Sequence, residues 1–267
     1  MRKVSSLFII SLLLLTTILI KPIYAAKFAT SNETEIVLKI GNYYILYTKP
    51  ASPYIDHKNR LFIPLRSIED LMGGKVSYDS QSKTATVDWL ERSFQLTVNS
   101  TIAKIDGQLV EMDTIPVMKQ DAMFLPLRIF LDNTNINYNW VSELGFLHIT
   151  DEHVVAGEVF ENFIGNDATT GYKDAFHLDS YTLSNNTITI RAKNILGQNI
   201  PEGKSDIQPL VQFKDGGFSV DSYSRPVNPA IPEVEKDSTI TVYKKIGLEN
   251  AEYIISVGRY EPQPTDG

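Results

Sequence analysis

Four histidines, His57, His148, His153 and His177, are the first side chains to weigh for chemistry, since the chain has no cysteine to serve as thiolate ligand or nucleophile. A copper or zinc site draws its ligands from closely spaced positions such as His-x-His or His-x3-His. Only His148 and His153 lie near each other, five positions apart across a strand end, and no third ligand accompanies them. They read as surface or half-buried side chains, with no metal and no cofactor. The carboxylate pairs Glu69-Asp70 and Asp151-Glu152 are adjacent, so they diverge on a helix or strand and do not converge as a pair of glycosidase acids must. The chain also lacks a Gly-x-Ser-x-Gly elbow, a His-Glu-x-x-His helix and a phosphate loop. No catalytic residue is expected, and the chain reads as a non-enzyme.

The most informative polar residues are two arginines, Arg66 and Arg128. Each closes a Pro-Leu-Arg triplet, Pro64-Leu65-Arg66 and Pro126-Leu127-Arg128, where a helix is expected to begin. A cation in the first turn opposes the helix dipole, so its presence in both copies implies a fixed acceptor near each guanidinium. The structural reading is a tie from the helix start to a neighbouring strand's carbonyls or a carboxylate. The functional reading is an anion or carboxylate-ligand site.

The triplets belong to a longer duplication. Leu61-Phe62-Ile63-Pro64-Leu65-Arg66 and Met123-Phe124-Leu125-Pro126-Leu127-Arg128 lie 62 residues apart, and the offset continues without a gap to pair Tyr78 with Trp140 and Val87 with Ile149. In the first copy, a short apolar strand runs into a helix with proline at its first position. Leu65, Ile68, Leu71 and Met72 recur at helical spacing, and Gly73-Gly74 stops the helix. A hairpin follows, Lys75 to Tyr78 and Thr84 to Trp89, turning at Asp79-Ser80-Gln81-Ser82. The second copy has a poorer helix, broken by Asp132-Asn133-Thr134-Asn135, and a hairpin of Ile136 to Trp140 and Phe146 to Ile149.

This doubled pattern of hydrophobic-Pro-Leu-Arg, short helix, Val-x-aromatic strand, polar turn and Thr-x-Thr-Val strand resembles the copper amine oxidase-like N-terminal or stalk domain over Ile36 to Thr150. The resemblance implies an α+β module with an antiparallel sheet wrapped on a helix, common on secreted and surface proteins of Gram-positive bacteria. It does not imply an oxidase, whose quinone and three histidine copper ligands belong to a separate, larger domain. Asn137-Tyr138-Asn139 echoes the quinone-forming tripeptide but lacks its acidic third residue, and Tyr138 reads as a core tyrosine. The pattern departs from the family in its weak second helix and in Trp140-Val141, where Trp-Asp is usual.

The elements around the repeat suggest export. Arg2 and Lys3, an apolar run from Leu7 to Ile20, and Pro22-Ile23-Tyr24-Ala25 make residues 1–25 a cleavable signal peptide, too short and too interrupted by Lys21 for a stable span. Loss of Arg2, Lys3 and Lys21 takes the net charge from −7 to −10, so neither nucleic acid nor anionic lipid is an expected partner. Without disulfides, the mature chain must hold itself by core burial alone.

Residues 33–150 read as the stalk-like domain. Residues 154–260 read as a mainly-β, immunoglobulin-like sandwich, from seven alternating segments that begin with Val154 to Phe160. Residues 261–267 read as a disordered tail. The expected fold class is α+β, a repeated strand-helix-hairpin domain followed by the sandwich.

The function expected is non-catalytic: attachment, spacing or recognition at the cell envelope, with an envelope component or extracellular protein as partner. One alternative is a secreted accessory or inhibitor protein that binds another protein through the sandwich. The other is a polysaccharide-binding module, for which Tyr172, Phe176, Tyr181 and Tyr223 would have to form a surface row.

Overall fold

The computed structural model describes residues 33–154, 157–165, 169, 171–220, 230–247 and 250–262. The signal segment expected over residues 1–25 and the last five residues of the expected tail lie outside the described residues.

Short strands β1 (Thr34–Glu35) and β2 (Leu38–Ile40) lead through a turn at Gly41 into β3 (Tyr43–Thr48). After β4 (Tyr54–Ile55), the fully buried β5 (Leu61–Pro64) runs directly into helix α1 (Leu65–Met72). That helix buries Leu65, Ile68, Leu71 and Met72 and ends on Gly73 in the left-handed conformation, which a residue without Cβ adopts at little cost. A meander follows: β6 (Lys75–Asp79), β7 (Thr84–Trp89), β8 (Arg92–Thr97), β9 (Ile102–Ile105) and β10 (Gln108–Glu111). Next come β11 (Val117–Lys119), β12 (Ala122–Pro126), α2 (Arg128–Thr134), β13 (Tyr138–Val141) and β14 (Phe146–Ile149). A 3-10 turn at Glu152–Val154 precedes α3 (Glu158–Ile164) and β15 (Lys173–Asp174). The remaining strands are β16 (Phe176–Ser184), β17 (Thr187–Asn194), β18 (Ser205–Phe213), β19 (Phe218–Val220), β20 (Thr239–Lys245) and β21 (Ala251–Tyr260).

The described residues from Thr34 on are layered around one sheet, ordered β13-β14-β2-β3-β21-β18-β19, with β15 also on β21. Its side chains alternate between two cores, as the period of two along a strand requires. Ile40, Ile45, Ile149, Ile255 and Val257 enter one core, with the helices, the meander β6–β10 and the sheet β11-β12-β5-β4. Tyr44, Leu46, Phe146, Val211 and Ile254 enter the other, against the sheet β1-β16-β17-β20.

The expected fold class is overturned. The protein is mostly β, in several sheets, and not an α+β module of repeated strand-helix-hairpin units, while the packing of the sheet β1-β16-β17-β20 on the central sheet is compatible with a sandwich. The repeat describes local order only. β5 and β12 pair with each other, yet the hairpin β6-β7 belongs to the meander and the hairpin β13-β14 to the central sheet. β3 pairs with β21, and β2 lies parallel to β14, so the central sheet takes strands from both sides of Thr150. Such pairings join segments far apart in the chain and leave no mark on local periodicity.

Two local expectations also change. The segment Val154 to Phe160, expected as a strand, holds the 3-10 turn and the start of α3; Val159, Phe160 and Phe163 are buried at helical spacing. Gly157 caps that helix so close to α1 that a Cβ there would stand 2.0 Å from the Asp70 carbonyl oxygen. Tyr138, expected in the core, is 36% exposed, because β13 is the outermost strand of the central sheet and three of its four residues face solvent.

Candidate functional site: the groove at the first Pro-Leu-Arg triplet

The two triplets meet in space. β5 and β12 are antiparallel, with Pro64 opposite Phe124 and Pro126 opposite Phe62, so the local relation is a two-fold and the helix starts lie at opposite ends of the strand pair. Pro64, Leu65, Pro126 and Leu127 are buried, and the Leu127 N–H donates to the Leu61 carbonyl at 2.9 Å. Arg66 and Arg128 are exposed.

Their surroundings differ in a way that follows from the 62-residue offset. In the second copy, Asp132 stands one turn after Arg128 and accepts from its Nε at 3.1 Å, and it also accepts from the Tyr138 hydroxyl. In the first copy, the equivalent carboxylate, Asp70, accepts from the hydroxyl of Tyr253, a buried side chain of β21. Burial pushes the Asp70 carboxyl above its ordinary 3.8, against the lowering effect of the tyrosine's hydrogen bond. Burial and the adjacent Asp70 drive the Tyr253 phenol far above its usual range. Arg66 makes no hydrogen bond or ion pair with the described residues. A carboxylate acceptor thus stands beside Arg128, on its own helix, whereas Arg66 pairs with none among the described residues.

Arg66 stands on the wall of a groove of about 590 Å³. α1 contributes Arg66 and Glu69, β6 contributes Val76, Ser77 and Tyr78, and the β11–β12 hairpin contributes Met118, Asp121 and Met123. The far wall is Lys49, Glu252, Tyr253 and Lys214, held by bonds from the Lys49 N–H to the Glu252 carbonyl at 2.7 Å and from the Lys214 N–H to the Asn250 carbonyl at 2.9 Å. A second depression of about 210 Å³ shares Arg66, Lys214, Glu252 and Tyr253 and extends the groove toward Glu158 of α3. Arg128 also opens on a hollow, but a smaller one of about 280 Å³, and there it is already paired with Asp132.

The arrangement offers a cation with no hydrogen bond or ion pair among the described residues, whose charge acts on the nearby Asp70, together with two further exposed cations and an apolar seat. Lys49 and Lys214 could not be picked out in advance, because their approach to Arg66 depends on the non-local pairing of β3, β21 and β18. Tyr78 and Met118 signal themselves only as apolar residues on edge strands, at 40% and 45% exposure.

The histidines do other work. His57 and His153 lie in surface turns, the latter 2.8 Å from Asp151. His148 and His177 approach each other through Phe146, on which His177 stacks at 4.8 Å, beside the buried Lys39. Burial lowers the pKa of both, with Lys39 adding to the effect. Among the described residues, no group of three or more His, Asp or Glu is placed to hold a metal ion.

Residues 45–149 match the family model of the copper amine oxidase N-terminal domain. That domain is a non-catalytic part of those oxidases. No curated protein and no solved structure matches the chain. The matched segment runs from β3 to β14 and supplies Lys49, Arg66, Tyr78 and Met118, while Lys214, Glu252 and Tyr253 come from outside it. No helix of the described residues is long and apolar enough to cross a membrane.

Proposed function

We propose that this chain is an exported, non-catalytic protein of the cell envelope or medium that works by attachment or recognition, and that the groove at Arg66 is its binding site. The observation that carries the reading is the contrast between the two repeat arginines. Arg128 is paired with Asp132, whereas Arg66 makes no hydrogen bond or ion pair with the described residues and lines a groove together with Lys49 and Lys214. A cation held on a rigid frame of helix and strands, beside exposed apolar side chains, suits binding better than turnover. The match to a non-catalytic domain supports the same view, and the basic and apolar N-terminal run supports export. The polysaccharide reading has less to stand on, since Phe176 and Tyr181 are buried in the core and form no surface row, and Tyr223 lies outside the described residues.

The test is fractionation of producing cells, N-terminal sequencing of the exported product, and binding of that product to isolated cell-wall material and to proteins released from it. The expected result is a mature terminus at Ala26 and saturable binding that weakens with salt. A product retained in the cytoplasm, or an exported product that binds neither material, contradicts the proposal.

A further inference from the structure

We infer that the groove takes an extended peptide segment bearing a carboxylate, which adds as a strand to the free edge of β6 and sets its acid against Arg66; this rests on the reading of the groove as the binding site. The groove runs between two sheet edges. β6 closes one end of the five-stranded meander and β11 one end of the four-stranded sheet, so among the described residues each has a strand neighbour on one side only. The Tyr78 hydroxyl lies 3.9 Å from the Met118 sulfur and bridges the two edges. An unpaired edge presents a row of backbone donors and acceptors whose natural complement is another extended chain. Five residues of β6 span roughly 17 Å at the usual rise, enough to register a peptide of similar length.

Apolar seats for alternate side chains are present beside that edge, in the half-buried Val76 and the exposed Tyr78 and Met118. The charges set the rest of the ligand. Arg66 makes no hydrogen bond or ion pair with the described residues, whereas its repeat counterpart Arg128 is paired with Asp132. Glu69, Asp121 and Glu252 share the walls with the three cations, so a polyanion gains little from entering, whereas a single acid in line with Arg66 meets a planar two-donor fork. A peptide with one such acid among β-branched or aromatic residues fits both features.

The test is selection of displayed random heptapeptides on the purified exported chain, followed by affinity measurement on the enriched sequences as synthetic peptides. The expected winners carry Asp, Glu or a free C-terminus at constant spacing from β-branched or aromatic residues. Arg66→Ala in the protein, or Glu→Gln in the peptide, should each weaken binding by about tenfold or more, as loss of a charged hydrogen bond does. N-methylation of alternate peptide amides should abolish binding in one register and spare it in the other, since only one face of the peptide backbone meets β6. Arg66 is exposed, so the variant folds, and circular dichroism confirms it.

Winners without an acid, affinity indifferent to Arg66→Ala, or equal tolerance of N-methylation in both registers would overturn the inference. If cell-wall material holds the chain through Arg66 while no such peptide is enriched, the groove binds something else and this inference alone falls. If wall material, wall proteins and peptides all fail to bind, the functional reading falls with it.

Discussion

Arg66 and Arg128 differ in the carboxylate one turn on, since each accepts from a tyrosine hydroxyl but Asp132 is exposed and also pairs with its arginine. Asp70 is half-buried between α1 and β21, where its charge is costly and only the Tyr253 hydroxyl is a close donor. Because its folded pKa is raised, Asp70 contributes most to stability below about pH 3.8, and that contribution is lost as pH rises through the folded value. Asp70→Asn should therefore gain stability over the native chain as pH rises from 4 to 7, which urea denaturation at the two values measures. Tyr253→Phe should cost about 1–3 kcal/mol at neutral pH, the penalty of leaving a buried acceptor without its donor.

His177 has the opposite sign. Burial holds its pKa below 6.5, with Lys39 and Lys193 adding to the lowering and Asp179 and the Leu144 backbone opposing it. Its contribution is intact above about pH 6.5 and falls as pH drops toward the folded value. Denaturation midpoints should therefore decline on acidification through that window, and the decline should flatten when His148 and His177 are both replaced by Gln. At this scale the sequence marked Arg66 and Arg128 as special but not why, since Asp70 and Asp132 look alike until β21 half-buries the first and the second is left exposed.

Elements with a strong local pattern were legible. Thr84–Trp89 alternates polar Thr84, Thr86 and Asp88 with buried Ala85, Val87 and Trp89 and is a strand over the range expected. The valines and phenylalanine of Val154 to Phe160 fit a short strand as readily as half a helix. Gly157 decides the matter in three dimensions, by letting α3 start against the α1 backbone. Gly157→Ala should cost about 3 kcal/mol or more, since the added methyl meets backbone that cannot turn aside. Gly258→Ala should also destabilise, because its Cβ would lie 2.7 Å from the Phe176 carbonyl oxygen where β21 crosses β16. Thermal melts of the two variants check both, and unchanged midpoints would show that the elements are packed less closely.

For the whole molecule, what the sequence withheld is the order of strands in the central sheet. β3 is covered by β21, and Lys49 and Glu252 are joined through their backbones, so both segments build the groove as well as the sheet. A fragment ending at Thr150 exposes the edge of β3 together with Ile45 and Tyr44, and it should fail to give a cooperative unfolding transition.

The binding claim itself turns on one comparison, the retention of the purified exported chain by its envelope material for the native protein, Arg66→Ala and Arg128→Ala at matched ionic strength. Arg66→Ala should lower the affinity about tenfold or more while Arg128→Ala stays at the native value. Equal losses in the two variants, or no loss in Arg66→Ala, would contradict the assignment of recognition to this groove.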